Sequence, residues 1–492
     1  MAFTDEEQPL LRVTYEAENA ENTVKHDEVI LDFEPFDPAN PRNWKSSFKW
    51  FIVLLLALMA FTVTFTCIGV VPVARKIVED LDKRPASSSN SALLVTIWEL
   101  GEAAGPLLIA PLSEVFGRYP VMNGCNIAFI SATILAVCSQ SSTLFIAARM
   151  LTGLAVASNV LNPAIIGDIF ESEKRGSAMS LIMLAPLIGG AVGPAISGAI
   201  AQTMGWRMIL IIATGLAVLC EVLFLMCFRE TYKMAILRRR QMTLRQESGE
   251  FEDSSKINRG YENLLKLRNS ITRPAIVLFG SKVLMLLSLY ASVAFSYFYV
   301  MSISLPIILQ DVYGFNPAQT GSAFISFSIG SFLSVLVCNF SLDHIYIRLR
   351  NPSHAKGKPE YRLPLSIIGA MLLPLSVAGY GWIAQFQLPA PLLLVSVSLL
   401  GFTLLLTVIP LSAYVVDAFG LYSASAMTGV IVTRCLMGTF LPLATGPLAD
   451  RLGYGWGFTC LGALSLCLGI IPILILRYGE KWRQSSEYTR DT

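Results

Sequence analysis

Glu99, Glu102, Arg149, Glu221 and Arg434 all lie inside long apolar runs of the sequence. A charge in hydrocarbon costs at least a few kcal/mol on insertion scales, so each needs an opposite charge, a backbone carbonyl or a wet cavity. Glu99 and Glu102 are three residues apart and share one helix face, with Gly101 and Gly105 roughly opposite on a small-residue packing face. Two acids this close in low dielectric repel, so one of them favours its protonated form and can exchange a proton near neutral pH. The same acids read equally as partners of Arg149 or Arg434 in a buried ion pair. Asn159 and Asn162 add polar groups to one apolar run, while Tyr290, Phe295, Tyr297, Phe298 and Tyr299 offer rings able to line a cavity for flat or cationic compounds. The candidates for a substrate or proton pathway are therefore Glu99, Glu102, Arg149, Asn159, Asn162, Glu221, Tyr297 and Arg434. Catalytic chemistry has no comparable support, because no apolar run carries a nucleophile with a base. His26, His344 and His354 all lie outside the apolar runs, which leaves no histidine-built metal site or haem pocket. No metal and no cofactor beyond a proton gradient are expected, and the nine scattered cysteines predict no disulfide framework.

The elements that must hold these charges follow from composition. The chain has 492 residues, 54 % of them apolar and only 15 % charged. Its mean hydropathy is +0.58. An ordinary soluble globule carries about 25 % charged residues. Apolar segments at about 50–72, 92–113, 121–140, 144–167, 177–203, 207–228, 283–309, 318–340, 363–385, 391–415, 424–448 and 455–477 each match the roughly 20 residues a helix needs to cross a bilayer. Continuous apolar runs of this length exclude a barrel of ten-residue alternating strands. The reading is an all-α membrane protein with twelve transmembrane helices in two pseudo-symmetric six-helix bundles. Its parts are a polar tail at 1–49, bundles at 50–228 and 283–477, a linker at 229–282 and a tail at 478–492. The acid-rich start predicts no cleavable leader.

Lys and Arg concentrate before span one and in the even-numbered loops, for example Arg118, Lys174, Arg175, Arg348, Arg350 and Arg362. Loops 139–143, 310–317 and 386–390 have none, which predicts both tails and the linker to be cytoplasmic. The mixed-charge loop at 73–91 reads as an ordinary solvated outside loop, and the cluster Arg238, Arg239, Arg240, Arg245 as a solvated charge run. A net charge of +2 gives no nucleic-acid signal. With an offset of 248, Ser177-Ala178-Met179 falls on Ser425-Ala426-Met427, Gly190 on Gly438, Pro194 on Pro442, Gly198 on Gly446 and Gly205 on Gly453. A duplicated six-helix unit produces this register, and transporters built from such repeats bind substrate between them.

Several motifs carry a resemblance. Between spans two and three stands Ala110-Pro111-Leu112-Ser113-Glu114-Val115-Phe116-Gly117-Arg118-Tyr119-Pro120, where an acid, a turn-forming glycine and an arginine make a short hinge. This stretch resembles the loop 2–3 signature of the major facilitator superfamily, with Ala110 for the usual Gly and Val115 for the usual base. The resemblance implies that Glu114, Gly117 and Arg118 form a conformational latch. Leu144 to Gly153, with Arg149, is similar to the second motif of that family, which implies a proton-linked arginine. Gly189, Gly193, Pro194 and Gly198 give close helix packing and resemble the antiporter motif of its exporters, with Ser197 for a usual Gly. Asn43-Trp44, Glu230-Thr231-Tyr232, Pro359 to Pro364 and Val416 to Gly420 further resemble its twelve-span drug:proton antiporter branch over roughly residues 40 to 483. That branch implies proton-coupled efflux of a drug, toxin, polyamine or secondary metabolite by alternating access. The competing expectations are proton-linked uptake and a non-transporting sensor. The expected partners are a small-molecule substrate, protons and the lipid bilayer, with no nucleic acid. A monomer is expected in the plasma membrane, with the vacuolar membrane as the alternative.

Overall fold

The computed structural model describes Phe33 and residues 37–85, 87–247, 271–349, 358–486 and 488–489. The N-terminal half contains α1 (Ser46–Ile68), α2 (Ala74–Asp82), α3 (Ser88–Phe116), α4 (Arg118–Val137), α5 (Ser142–Leu154), α6 (Ser158–Ile169), α7 (Ser172–Thr203) and α8 (Trp206–Cys227). The linker carries α9 (Lys233–Glu247) and α10 (Ile271–Gly280). The C-terminal half contains α11 (Lys282–Asp311), α12 (Pro317–Leu349), α13 (Leu363–Gln385), α14 (Ala390–Phe419), α15 (Ser423–Phe440), α16 (Thr445–Leu468) and α17 (Ile470–Gln484). No strand occurs among the described residues. Eleven helical stretches are long and apolar enough to cross a bilayer, and the last runs 62 residues from Ser423 to Gln484. A straight helix of that length would measure about 90 Å, three times the hydrocarbon thickness. It folds back at Gly453, whose φ 75° and ψ 168° are not helical, and so supplies two crossings, twelve in all among the described residues.

The repeat is visible in the backbone. Gly205, between α7 and α8, has φ 86° and ψ 163°, nearly the conformation of Gly453 one repeat later. Span four is broken: α5 ends at Leu154 and α6 begins at Ser158, which opens the helix beside Arg149 and Asn159. Large apolar side chains such as Leu54, Met226 and Phe340 stand exposed on the bundle surface, as a hydrocarbon solvent requires.

Packing is asymmetric between the two ends. One core cluster, from Ile52 to Phe228, lies wholly in the first half, and another, from Val277 to Ile475, wholly in the second. A third joins both halves through Phe65, Val71, Ile77, Trp206, Val300, Leu305, Ile308, Phe324 and Phe458. Those residues sit toward the end that carries the odd-numbered loops. At that end the halves are also tied by Arg75 Nη1 to Asp311 Oδ2 at 2.9 Å and by Gln310 Nε2 to the Pro72 carbonyl at 2.9 Å.

The loop read as solvated at 73–91 is instead largely helical. Ile77, Val78 and Leu81 of α2 are buried, Trp206 donates to Asp80, and Ser142 donates to Asp82 through its N–H and its hydroxyl. Its three acids do not simply offset its four bases, because Glu79, Asp80 and Asp82 are each committed to a particular neighbour. The last helix runs past 477 because Arg483 pairs with buried Glu360 at 2.8 Å, and Ser486 donates to the Gly280 carbonyl. Arg240 pairs with Asp37 at 2.7 Å, drawing the N-terminal segment onto α9. The N–H of Ala39, followed by Arg240, holds the Asp37 carboxyl below its usual range. The side chain of Arg245 lies outside the described residues.

Candidate functional site

A close crossing of α3 and α5 positions the acids. A Cβ on Gly101 would strike the Met150 carbonyl, and one on Gly153 would strike the Trp98 carbonyl, so the two backbones touch where only hydrogen fits. Gly105 continues the contact against Leu154. The other side of α3 carries Glu99, two residues before Gly101, and Glu102, one after, toward the axis between the halves.

There the structure assembles a polar cluster from both halves. Tyr299 of α11 donates its hydroxyl to Glu99 Oε1 at 2.5 Å, and the other Glu99 oxygen is buried without a partner. Glu102 Oε2 accepts from Trp98 Nε1 at 3.2 Å, and Oε1 accepts from Asn159 Nδ2 at 2.7 Å. Arg434 of α15 brings Nη2 to 3.9 Å from that same Oε1. One turn further along α15, Thr439 donates to the Thr96 carbonyl at 3.4 Å. Spans two, four, seven and eleven therefore meet at one point, and α3 and α15 face each other along it. Donor atoms of Glu99, Glu102 and Cys435 lie within 4.8 Å of one another, a spacing able to hold a cation, but the Arg434 guanidinium already supplies positive charge beside them.

Other candidates fall elsewhere. Arg149, 1 % exposed, donates to the carbonyls of Thr66 and Cys67 at 2.8 Å each, with Trp98 stacked at 4.7 Å. These carbonyls near the C-terminal end of α1 carry the negative end of its dipole, so Arg149 clamps spans one, two and four. Glu221 accepts from Asn126 at 2.8 Å between spans three and six, apart from the cluster. Asn162 is buried with its oxygen unpartnered. Tyr297 does not join the cluster: its hydroxyl donates to the Leu461 carbonyl at 2.6 Å inside the second half. Helix periodicity explains the difference, since a step of two residues turns the side chain about 200° and leaves Tyr299 as the one that faces the acids.

The even-loop hinge is also rearranged. Glu114 is exposed and makes no hydrogen bond or ion pair with any described residue. Its expected place is taken by Glu230, which accepts the N–H groups of Arg118 at 2.8 Å, Tyr119 at 3.2 Å, Thr231 at 3.0 Å and Tyr232 at 2.9 Å. Glu230 thereby caps α4, whose first N–H groups have no helical acceptor. Gly117 has φ 101°, and a Cβ there would strike the Glu230 carboxylate. Arg118 reaches Asp168 at 3.4 Å, bonds to Ser113 and lies 4.8 Å from the Tyr232 ring. The second half repeats the device with Arg362, which pairs with Asp343 and with Asp417 at 2.9 Å and lies 4.7 Å from the Tyr346 ring. Nearby, a hydrogen bond to Glu480 raises the Lys358 ammonium above its ordinary range. A carboxylate three residues before Gly117 is a stronger local signal than one 50 or 112 residues from Arg118, so Asp168 and Glu230 are not legible as partners in the sequence.

Span five uses its small residues on two faces. Gly189 packs against Thr64 and Phe61, and Gly193 against Phe65, all in α1. Gly198 lies against the Pro317 backbone, and the Pro194 carbonyl lies where a Cβ of Gly321 would be. The second face thus joins α7 to α12 of the other half near the odd-loop end.

Two six-helix halves meeting around charged residues in the membrane define a membrane transporter rather than an enzyme. Residues 51–442 match the Major Facilitator Superfamily, and the chain belongs to it. It is 32 % identical over 467 residues to "Efflux pump radE" of Floropilus chiversii, covering 94 % of this chain and 86 % of that protein. To "MFS-type transporter penM" of Penicillium rubens it is 33 % identical over 472 residues, covering 95 % and 92 %. In fold it is similar to a D-xylose-proton symporter, with a TM-score of 0.65 at 15 % identity over 86 % of this chain and 97 % of that one.

Proposed function

We propose that the chain exports a small organic molecule in exchange for protons, by alternating access, with Glu102 carrying the proton and Glu99 modulating it. The carrying observation is the cross-half cluster, in which Glu99 accepts a hydrogen bond from Tyr299 of the other half and Glu102, bonded to Trp98 and Asn159 of its own half, faces Arg434 of the other. A proton on either carboxylate alters the tie between the halves, which is what coupling requires. The spread of Lys and Arg supports a cytoplasmic even-loop face and both termini inside. The closed odd-loop end is then the outer one. The efflux pump among the relatives and the glycine pattern of span five support export, and a plasma-membrane setting fits a protein that removes compounds from the cell.

Energetics permit this without ATP. One proton crossing about 100 mV releases roughly 2.3 kcal/mol, and one pH unit adds about 1.4. Their sum sustains a gradient of a few hundredfold for a neutral solute, at about 1.4 kcal/mol per decade. Purified protein in liposomes with imposed pH gradients, offered amphipathic cations, polyamines and polyketide-like acids, tests the reading. Counterflow of solute and protons supports it. Movement in the same direction establishes uptake, and no movement of any compound under any gradient favours a sensor.

A further inference from the structure

The two arginines near the acids have opposite surroundings. The Arg149 guanidinium is engaged by two carbonyls and covered by Trp98. Arg434 makes no hydrogen bond with any described residue. Its Nη2 stops 3.9 Å from Glu102 Oε1, beyond hydrogen-bond reach, and its Nε is buried without a partner. The Glu102 oxygen it faces is already bonded to Asn159. The Arg434 side chain is 27 % accessible and Asn159 is exposed, so the place where they converge is open. On its other side the guanidinium lies 4.3 Å from the Phe295 ring.

A planar donor fork left unfilled inside a membrane-embedded segment fits a pair of coplanar oxygen acceptors. The acids do not compete for the role of ligand contact. Both Glu102 oxygens and Glu99 Oε1 meet protein donors, and the second Glu99 oxygen is buried toward Gly438. An incoming ammonium would meet the Arg434 charge 3.9 Å from Glu102.

We propose that Arg434 is a ligand-binding fork between the two halves, with Asn159 and Phe295 beside it, and that the transported compounds are conjugated organic acids or β-dicarbonyls presenting two coplanar oxygens. That these compounds are transported rests on the function proposed above; their binding does not. The test uses the full chain in lipid nanodiscs without a gradient and measures equilibrium binding of naphthoate, its methyl ester and naphthylmethylammonium, which share a ring and differ in the head group. Naphthoate should bind at least about tenfold tighter than the ammonium, and Arg434→Gln should weaken naphthoate by about tenfold or more, the loss of a charge-assisted bond pair. Arg434→Lys keeps the charge beside Glu102 but loses the fork, and should show a smaller loss. If Arg434→Gln fails to fold, the lysine variant carries the comparison. Tightest binding by the ammonium, no binding of any probe, or unchanged naphthoate affinity in the folded variants overturns the assignment. Naphthoate that binds through Arg434 while no compound moves under any gradient in liposomes overturns the transport reading alone. Naphthoate transported with unchanged affinity by Arg434→Gln overturns this one alone.

Discussion

Glu230→Ala should destabilise the first half far more than Glu114→Ala, although Glu114 occupies the position the hinge motif singles out. Glu230 accepts four backbone N–H groups, two of them at the start of α4 and contributed across more than a hundred residues of chain. A hydrogen bond to a charged group contributes about 1.5–3 kcal/mol when shielded. The carboxylate is half-buried, so water replaces part of the loss, and the two local N–H groups can turn toward solvent. Counting the two bonds to α4 at the lower end gives about 3 kcal/mol, and the charge at the helix N-terminus adds a few tenths to 1. At roughly 2 °C per kcal/mol for a unit the size of one half, thermal unfolding in detergent should shift down by about 6–8 °C. Glu230→Gln keeps an acceptor and should recover about half of that. Glu114→Ala should shift the midpoint by less than about 1 °C, as a surface substitution without partners does. Equal midpoints for Glu230→Ala and the parent protein would refute the capping argument, and a large loss for Glu114→Ala would return the hinge to the residue the motif suggests.

Other expected outcomes rest on separate contacts. Gly198→Leu or Gly321→Leu should hold the odd-loop ends apart, since overpacking of about 1–3 kcal/mol biases a two-state equilibrium by about 5- to 150-fold; cysteines placed near Asp311 should then label faster while transport falls. Arg149→Gln leaves the Thr66 and Cys67 carbonyls without their charged donor and should lower thermal stability by about 2–4 kcal/mol, whereas an arginine serving only proton transfer would leave stability intact. Glu102→Gln should remove the pH dependence of transport while allowing proton-independent exchange, read in liposomes; unchanged pH dependence moves the proton to another group. Glycosylation acceptor sites inserted in 310–317 and 245–255 should be modified only at the first, and the reverse result inverts the topology.

Composition and hydrophobic run length were enough to read an all-helical membrane protein of two halves, because the bilayer admits few spanning structures and each apolar run must satisfy its own backbone. The repeat offset was likewise legible at Gly205 and Gly453, since both need the same left-handed turn. Intramembrane charge marked Glu99, Glu102 and Arg434, for a charge in hydrocarbon announces itself in one dimension. Which partner each charge takes was decided only in three dimensions. Tyr299 rather than Tyr297 meets the acids, Glu230 rather than Glu114 caps the hinge, and Arg149 is bound by carbonyls that no sequence pattern records. Pairing depends on helix rotation and crossing, and those are set by tight contacts such as Gly101 with Gly153, summed over the packing of both halves.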